Sequence, residues 1–324
     1  MTLSSRYMAR AGTLIFAALT FAACSDPLAP HDVSPDRLQW IGYTIGIEME
    51  SGAMQLTAQD VLGTMGCCSR FSEARPGYRV AAASNRQRAA GQPASFYYMI
   101  DAECGVPSQN PPTDSDADQV PDNLTITFAV PACRFVDTHD TYELTGVIRV
   151  SDPQPGTGAM AFNMALDNHR LTFSQTHAIG FVRRDGVAAV VASATGLLQT
   201  VSWRESTQAE GRPTRGADIE WSATFTPAQG ASITPGEPLP DGTYAPNGSF
   251  VFWEGNRAAH LTITTLEPLQ YSAECAANVV AGSTFMSGSP FMSGVVRVSH
   301  DDSTGYVDVS YYECSGTGVY VPGR

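Results

Sequence analysis

The chain has 324 residues, enough to bury one large core or two modest ones. Hydrophobic residues at 43%, with 29 glycines and 21 prolines, fit a turn-rich globular protein and exclude a disordered one. A net charge of −13 with no basic stripe argues against nucleic acid as a partner, and the absence of lysine excludes P-loop, Schiff-base and Ser-x-x-Lys chemistry.

Residues 1–23 read as a signal peptide. Arg6 and Arg10 form a basic start. The apolar run Ala11 to Ala23 is too short for the roughly 20 residues that span a bilayer as a helix. The run ends in Phe21-Ala22-Ala23-Cys24, and small residues just before a cysteine resemble the lipobox of bacterial lipoproteins. Phe21 stands where that motif usually has Leu. The resemblance implies that Cys24 is acylated, becomes the new N-terminus and joins the protein to a membrane through lipid. The alternative is a plain secretory signal and a soluble secreted or periplasmic protein. Residues 24–37 hold three prolines and three aspartates without apolar periodicity, as an extended tether would. Ser25 directly after Cys24 resembles an outer-membrane sorting signal, with the periplasmic or the surface face left open.

A first β region is expected over 38–225. Ile41, Tyr43, Ile45, Ile47 and Met49 alternate with Gly42, Thr44, Gly46 and Glu48, which predicts a strand with one dry face. Thr57-x-x-Asp60 resembles a capping box opening a short helix before Gly66. Leu124, Ile126, Phe128 and Val130 give a further alternating strand, as do Ile219, Trp221, Ala223 and Phe225. Val187 to Leu198 fits helix or strand. The Pro/Gly-rich segment 226–248 is the expected linker to a second β region, 249–324.

Four blocks occur twice in the same order. Ser95-Phe96-Tyr97-Tyr98 corresponds to Ser249-Phe250-Val251-Phe252, and Leu124-Thr125-Ile126-Thr127 to Leu261-Thr262-Ile263-Thr264. Pro131 with Cys133 parallels Pro268 with Cys275. Gly146-Val147-Ile148-Arg149-Val150-Ser151 returns as Gly294-Val295-Val296-Arg297-Val298-Ser299. These define a hairpin-pair module with copy one at 95–166. The expected fold is all-β and antiparallel, either sandwich-like or an extended meander.

Copy one carries an insertion, at 114–122, where copy two has a short turn. It reads Asp114-Ser-Asp116-Ala-Asp118-Gln-Val-Pro-Asp122. Alternate aspartates bring carboxylates to one side of a tight loop, and a hard cation needs six to eight oxygens at close range. The string resembles the calcium loops of thrombospondin type 3 repeats. That resemblance implies Ca2+ held by the side chains of Asp114, Asp116, Asp118 and Asp122 and by the Val120 carbonyl. Gln119 replaces the usual glycine, and the loop occurs once rather than in an array. A solvated acidic turn is the plain alternative.

Without Cys24, six cysteines remain, an even number that reads as disulfides in an exported chain. Cys104 with Cys133 and Cys275 with Cys314 are the natural pairs. Cys67 and Cys68 either bridge each other or scramble that pairing.

No motif for catalysis emerges. Asp137, His139 and Asp140, and likewise His300, Asp301 and Asp302, read as polar turns. Trp40, Trp203, Trp221 and Trp253 are core candidates before they are sugar platforms. The expectation is a lipid-anchored cell-envelope β-protein with a calcium loop, a binding or structural module with an unknown protein or glycan partner. A secreted hydrolase of carbohydrate type, using carboxylates, and a carrier of apolar cargo are the alternatives.

Overall fold

A computed structural model describes residues 35–54, 56, 104–109, 112–118, 120–137, 140–157, 160–175, 178–211, 214–234, 237–255, 257–281, 289–301, 305–315 and 317–320. Residues 1–34, the Thr57 capping box, Cys67 and Cys68, and the block at 95–98, for which the sequence raised expectations, lie outside the described residues. The protein is all-β, with two helices. Thirteen antiparallel strands form one sheet that runs as a meander without closing into a barrel.

The strands are β1 (Val106–Pro107), β2 (Leu124–Phe128), β3 (Arg134–Asp137), β4 (Asp140–Ser151), β5 (Phe162–Gln175), β6 (Ala178–Ser193) and β7 (Gly196–Ala209). They continue as β8 (Arg215–Pro227), β9 (Gly242–Glu254), β10 (Arg257–Tyr271), β11 (Phe291–His300), β12 (Tyr306–Tyr311) and β13 (Thr317–Tyr320). Helix α1 spans Pro35–Ala53 and α2 spans Ala273–Ala281. From β4 onward each strand pairs with its sequence neighbour. Both β2 and β3 pair with β4, Leu124 opposite Val150 and Arg134 opposite Glu143, so they lie in series along one edge of it.

Period-two patterning builds the sheet. In β8, Ala217, Ile219, Trp221, Ala223 and Phe225 are buried while Glu220, Ser222 and Thr224 face solvent. The same alternation along β7 buries Leu197, Gln199, Val201 and Trp203. The ambiguous stretch 187–198 is strand, turn and strand, with Ser193 opposite Gly196. All buried faces meet in one core.

The segment 41–49, expected as a strand, is part of α1. Its buried residues are Leu38, Ile41, Ile45, Met49 and Ala53, spaced by three or four, so they form one helical stripe. Every second member of the alternating series falls on that stripe, which is why a period of two was legible there. Tyr43, between them, is exposed. Pro35 sits in the first turn, where its missing N–H is not needed.

Helix α1 touches the middle and the end of the meander at once. Gln199 on β7 donates Nε2–H to the Gly52 carbonyl at 3.0 Å, and Tyr311 on β12 donates to the Gly46 carbonyl at 3.1 Å. A Cβ on Gly52 would lie 2.5 Å from Trp221, and one on Gly42 would lie 2.8 Å from Val319. The sheet therefore curls around the helix, and glycines let the backbone approach. The concave apolar face is filled from within the chain.

The segment 226–248, expected as a linker, is the end of β8, a connection over 228–241 and the first half of β9. Phe225 pairs with Tyr244 and Thr226 with Thr243, so the sheet passes through it unbroken. Two of the four repeated blocks, with the strand that follows them, fall on corresponding strands: β2, β4 and β5 in one set, β10, β11 and β12 in the other; Pro131 and Cys133 lie between β2 and β3, whereas Pro268 is inside β10 and Cys275 is in α2. Gly146 and Gly294 both adopt positive φ, at 116° and 125°, beside irregularities in the ladder. Arg149 and Arg297 each reach an aspartate on the next strand, Asp167 and Asp308.

Cys104 bonds Cys133 and Cys275 bonds Cys314, the two pairs expected from spacing. Such bonds belong to an oxidising compartment and are consistent with an exported protein. No helix among the described residues is long and apolar enough to cross a membrane.

Candidate metal centre

The acidic insertion leaves β1 and re-enters the sheet at β2. Its base is tied by Ser108, whose N–H donates to the Thr125 carbonyl at 2.7 Å and whose Oγ accepts the Thr125 N–H at 3.1 Å. Asp122 N–H donates to the Thr113 carbonyl at 2.9 Å and closes the loop. The sharp bend falls at Ala117, with φ of 61°, and this non-glycine residue takes the left-handed conformation.

Within that turn Asp114, Asp116 and Asp118 converge. One ligand-type oxygen from each lies within 4.8 Å of the others. Asp118 is the deepest, 3% exposed. Its Oδ1 accepts the Val120 N–H at 2.8 Å, and its Oδ2 is buried without a hydrogen bond. Asp116 accepts the Gly156 N–H at 2.9 Å and the Asp118 N–H at 3.4 Å. Burial pushes the Asp118 carboxyl up to about 6. The Val120 N–H opposes that shift, while the charges of Asp116, Asp152 and Asp114 add to it.

Asp122 plays a different part. Its Oδ1 accepts the Ser115 N–H at 3.0 Å and its Oδ2 accepts the Ser115 hydroxyl at 2.6 Å, so it staples the loop's two ends. Val120 is buried in the core, and its N–H holds Asp118.

Asp152, which sequence reasoning missed, sits just past β4 and is 6% exposed. Its N–H donates to the Pro121 carbonyl at 3.0 Å, which fastens it to the loop. One of its oxygens accepts the Gln154 N–H at 2.6 Å, and the other is buried without a hydrogen bond. Beside the loop, a depression of about 630 Å³ opens on the outer face of β4–β7, with Asn123, Arg149, Asn163 and Thr200 in its lining.

A second polar group lies inside the curl. Arg184 on β6 is fully buried and bridges Glu48 of α1, at 2.7 Å, and Glu205 of β7, at 2.6 Å. Desolvation raises the Glu48 pKa against the pull of Arg184, and the Glu205 charge raises it further. His169 on β5 is likewise buried; desolvation first, then Arg184, lowers its pKa to about 3. Arg184 and His169 are buried and Glu205 keeps a quarter of its side chain exposed, and the group fastens α1 to the sheet.

The remaining candidates scatter. Trp203 and Trp221 are core residues and Trp253 is half-buried. His300 is buried at the end of β11, and Asp301 accepts the Thr262 hydroxyl at 2.7 Å. His139 and Asp302, and the side chains of Trp40, Asp137 and Asp140, lie outside the described residues. No family model, no curated protein and no solved structure matches the chain.

Proposed function

We propose that this protein is a lipid-anchored β-protein of the cell envelope, a binding or structural module whose surface loop is set by a bound calcium ion. The observation that carries the reading is the convergence of Asp114, Asp116 and Asp118. Carboxylates held that close repel one another in the metal-free state, and a divalent cation relieves the repulsion. Oxygen donors alone suit a hard cation, and the irregular loop suits calcium's flexible coordination better than magnesium's strict octahedron. The anchor is supported by the leader through Cys24, and export by the two disulfides.

The other readings draw less support. A hydrolase needs an accessible carboxyl with a raised pKa in a cleft, whereas the two raised carboxyls among the described residues, Glu48 and Asp118, are both buried. A carrier of apolar cargo needs an open dry face, and α1 covers the concave one. Calcium added to EDTA-treated protein should raise the melting temperature by mass action, about 2.7 kcal/mol at a hundredfold excess over Kd. Asp116→Asn should remove that response. An unchanged melting temperature in the wild type would sink the calcium reading.

A further inference from the structure

We propose that Asp152 is a ligand of the same cation, so that the bound ion clamps the 114–122 insertion onto the connection between β4 and β5. This deepens the calcium reading and rests on it.

Three observations carry the assignment. First, Asp118 and Asp152 each bury one carboxylate oxygen that accepts no hydrogen bond, while the other oxygen of each is engaged by a backbone N–H two residues on. A buried acceptor left unmet is destabilising, and more so when charged, so both oxygens call for a positive group. No arginine among the described residues makes an ion pair with either; a bound cation would satisfy both.

Second, the backbone brings the two segments together. Leu124 of β2 pairs with Val150 of β4, and one step beyond that pairing the Asp152 N–H reaches the Pro121 carbonyl at 3.0 Å. On the far side of the loop the Gly156 N–H reaches Asp116 Oδ2 at 2.9 Å. Asp152 lies between these two fastenings. Asp122 holds Ser115 through both oxygens and leaves neither buried and unmet, as Asp118 and Asp152 each do.

Third, the two repeated blocks part company at this position. Gly146 to Ser151 continues into Asp152, and Gly294 to Ser299 continues into His300. The copy that carries the insertion has the acid, and the copy with the short turn does not. Four carboxylates, some bidentate, with water completing the shell, meet the six to eight oxygens that calcium takes.

The test is isothermal titration of the full-length chain in detergent with calcium chloride. Expected is one site in the wild type, with affinity reduced at least about a hundredfold in Asp152→Asn as in Asp116→Asn, while Asp167→Asn binds as the wild type does. Wild-type affinity in Asp152→Asn, with Asp116→Asn inactive, would overturn the Asp152 assignment and leave the calcium loop standing. No binding by the wild type would remove both. Should Asp152→Asn fail to fold, carboxyl carbon NMR of the wild type decides. The Asp152 signal must shift on calcium addition together with that of Asp116, and a signal that stays put overturns the assignment.

Discussion

Arg184→Met asks how α1 is held. The guanidinium donates hydrogen bonds to Glu48 Oε1 and Oε2 at 2.7 and 3.4 Å, and twice to Glu205 Oε2 at 2.6 and 3.2 Å. Methionine fills similar space but leaves Glu48 enclosed without its counter-charge. Breaking a buried pair this way is destabilising by roughly 3–5 kcal/mol, against a total stability of about 5–15 kcal/mol. The loss should depend on pH. A carboxyl with a raised folded pKa adds stability at low pH, and that stability is lost as pH rises. The Glu48 pKa is already raised with Arg184 present, and without it the rise grows. The deficit measured by urea unfolding should thus be full at pH 7 and shrink toward pH 5. Adding Glu48→Gln to Arg184→Met should recover part of it at pH 7. A variant as stable as the wild type at pH 7, or a deficit that ignores pH, would refute the latch.

The metal-free loop should respond to protons in its own way. With Asp118 raised to about 6 from 3.8, the EDTA-treated protein gains stability as pH falls and loses it as pH rises through about 6. The shift bounds the effect at about 3 kcal/mol, reduced to roughly 1–2 because Ser115 and Ala117 beside it are exposed; Asp118→Asn should flatten that slope in urea unfolding. Gly52→Val should lower stability by about 1–3 kcal/mol and disturb the near-ultraviolet signal of Trp221, because a side chain there meets the indole. Replacing Cys104 and Cys133 by serine should lower stability by about 4 kcal/mol in the chain-entropy treatment, measured by the same unfolding curve. Cys24→Ala should move full-length protein from the detergent phase to the aqueous phase in a partition assay, and continued partition into detergent would refute acylation.

Local patterning was readable wherever a strand has one wet face. Ala217 to Phe225 alternates in the sequence and in the sheet, and the two disulfide pairs follow from spacing because each closes a local connection. Ile41 to Met49 misled because a step of four is also two steps of two. Only Leu38 and Ala53, beyond the alternating run, belong to the helical series alone. The segment 226–248 looked like a linker because prolines and glycines mark a turn without saying whether the strands beside it pair. At the metal centre the three alternating aspartates were legible as a local motif. Asp152 was not, since its place depends on the register of β2 against β4. The one trace of it in the sequence is the change from Asp152 to His300 between otherwise similar blocks. Arg184, Glu48 and Glu205 stand on three elements, and nothing local announces that they meet.

Diffraction from crystals grown with calcium, recorded at a wavelength where the ion scatters anomalously, addresses the metal centre most directly. A single anomalous peak should appear with oxygens of Asp114, Asp116, Asp118 and Asp152 at about 2.3–2.6 Å. Ordered density for all four side chains with no anomalous peak among them would contradict the account.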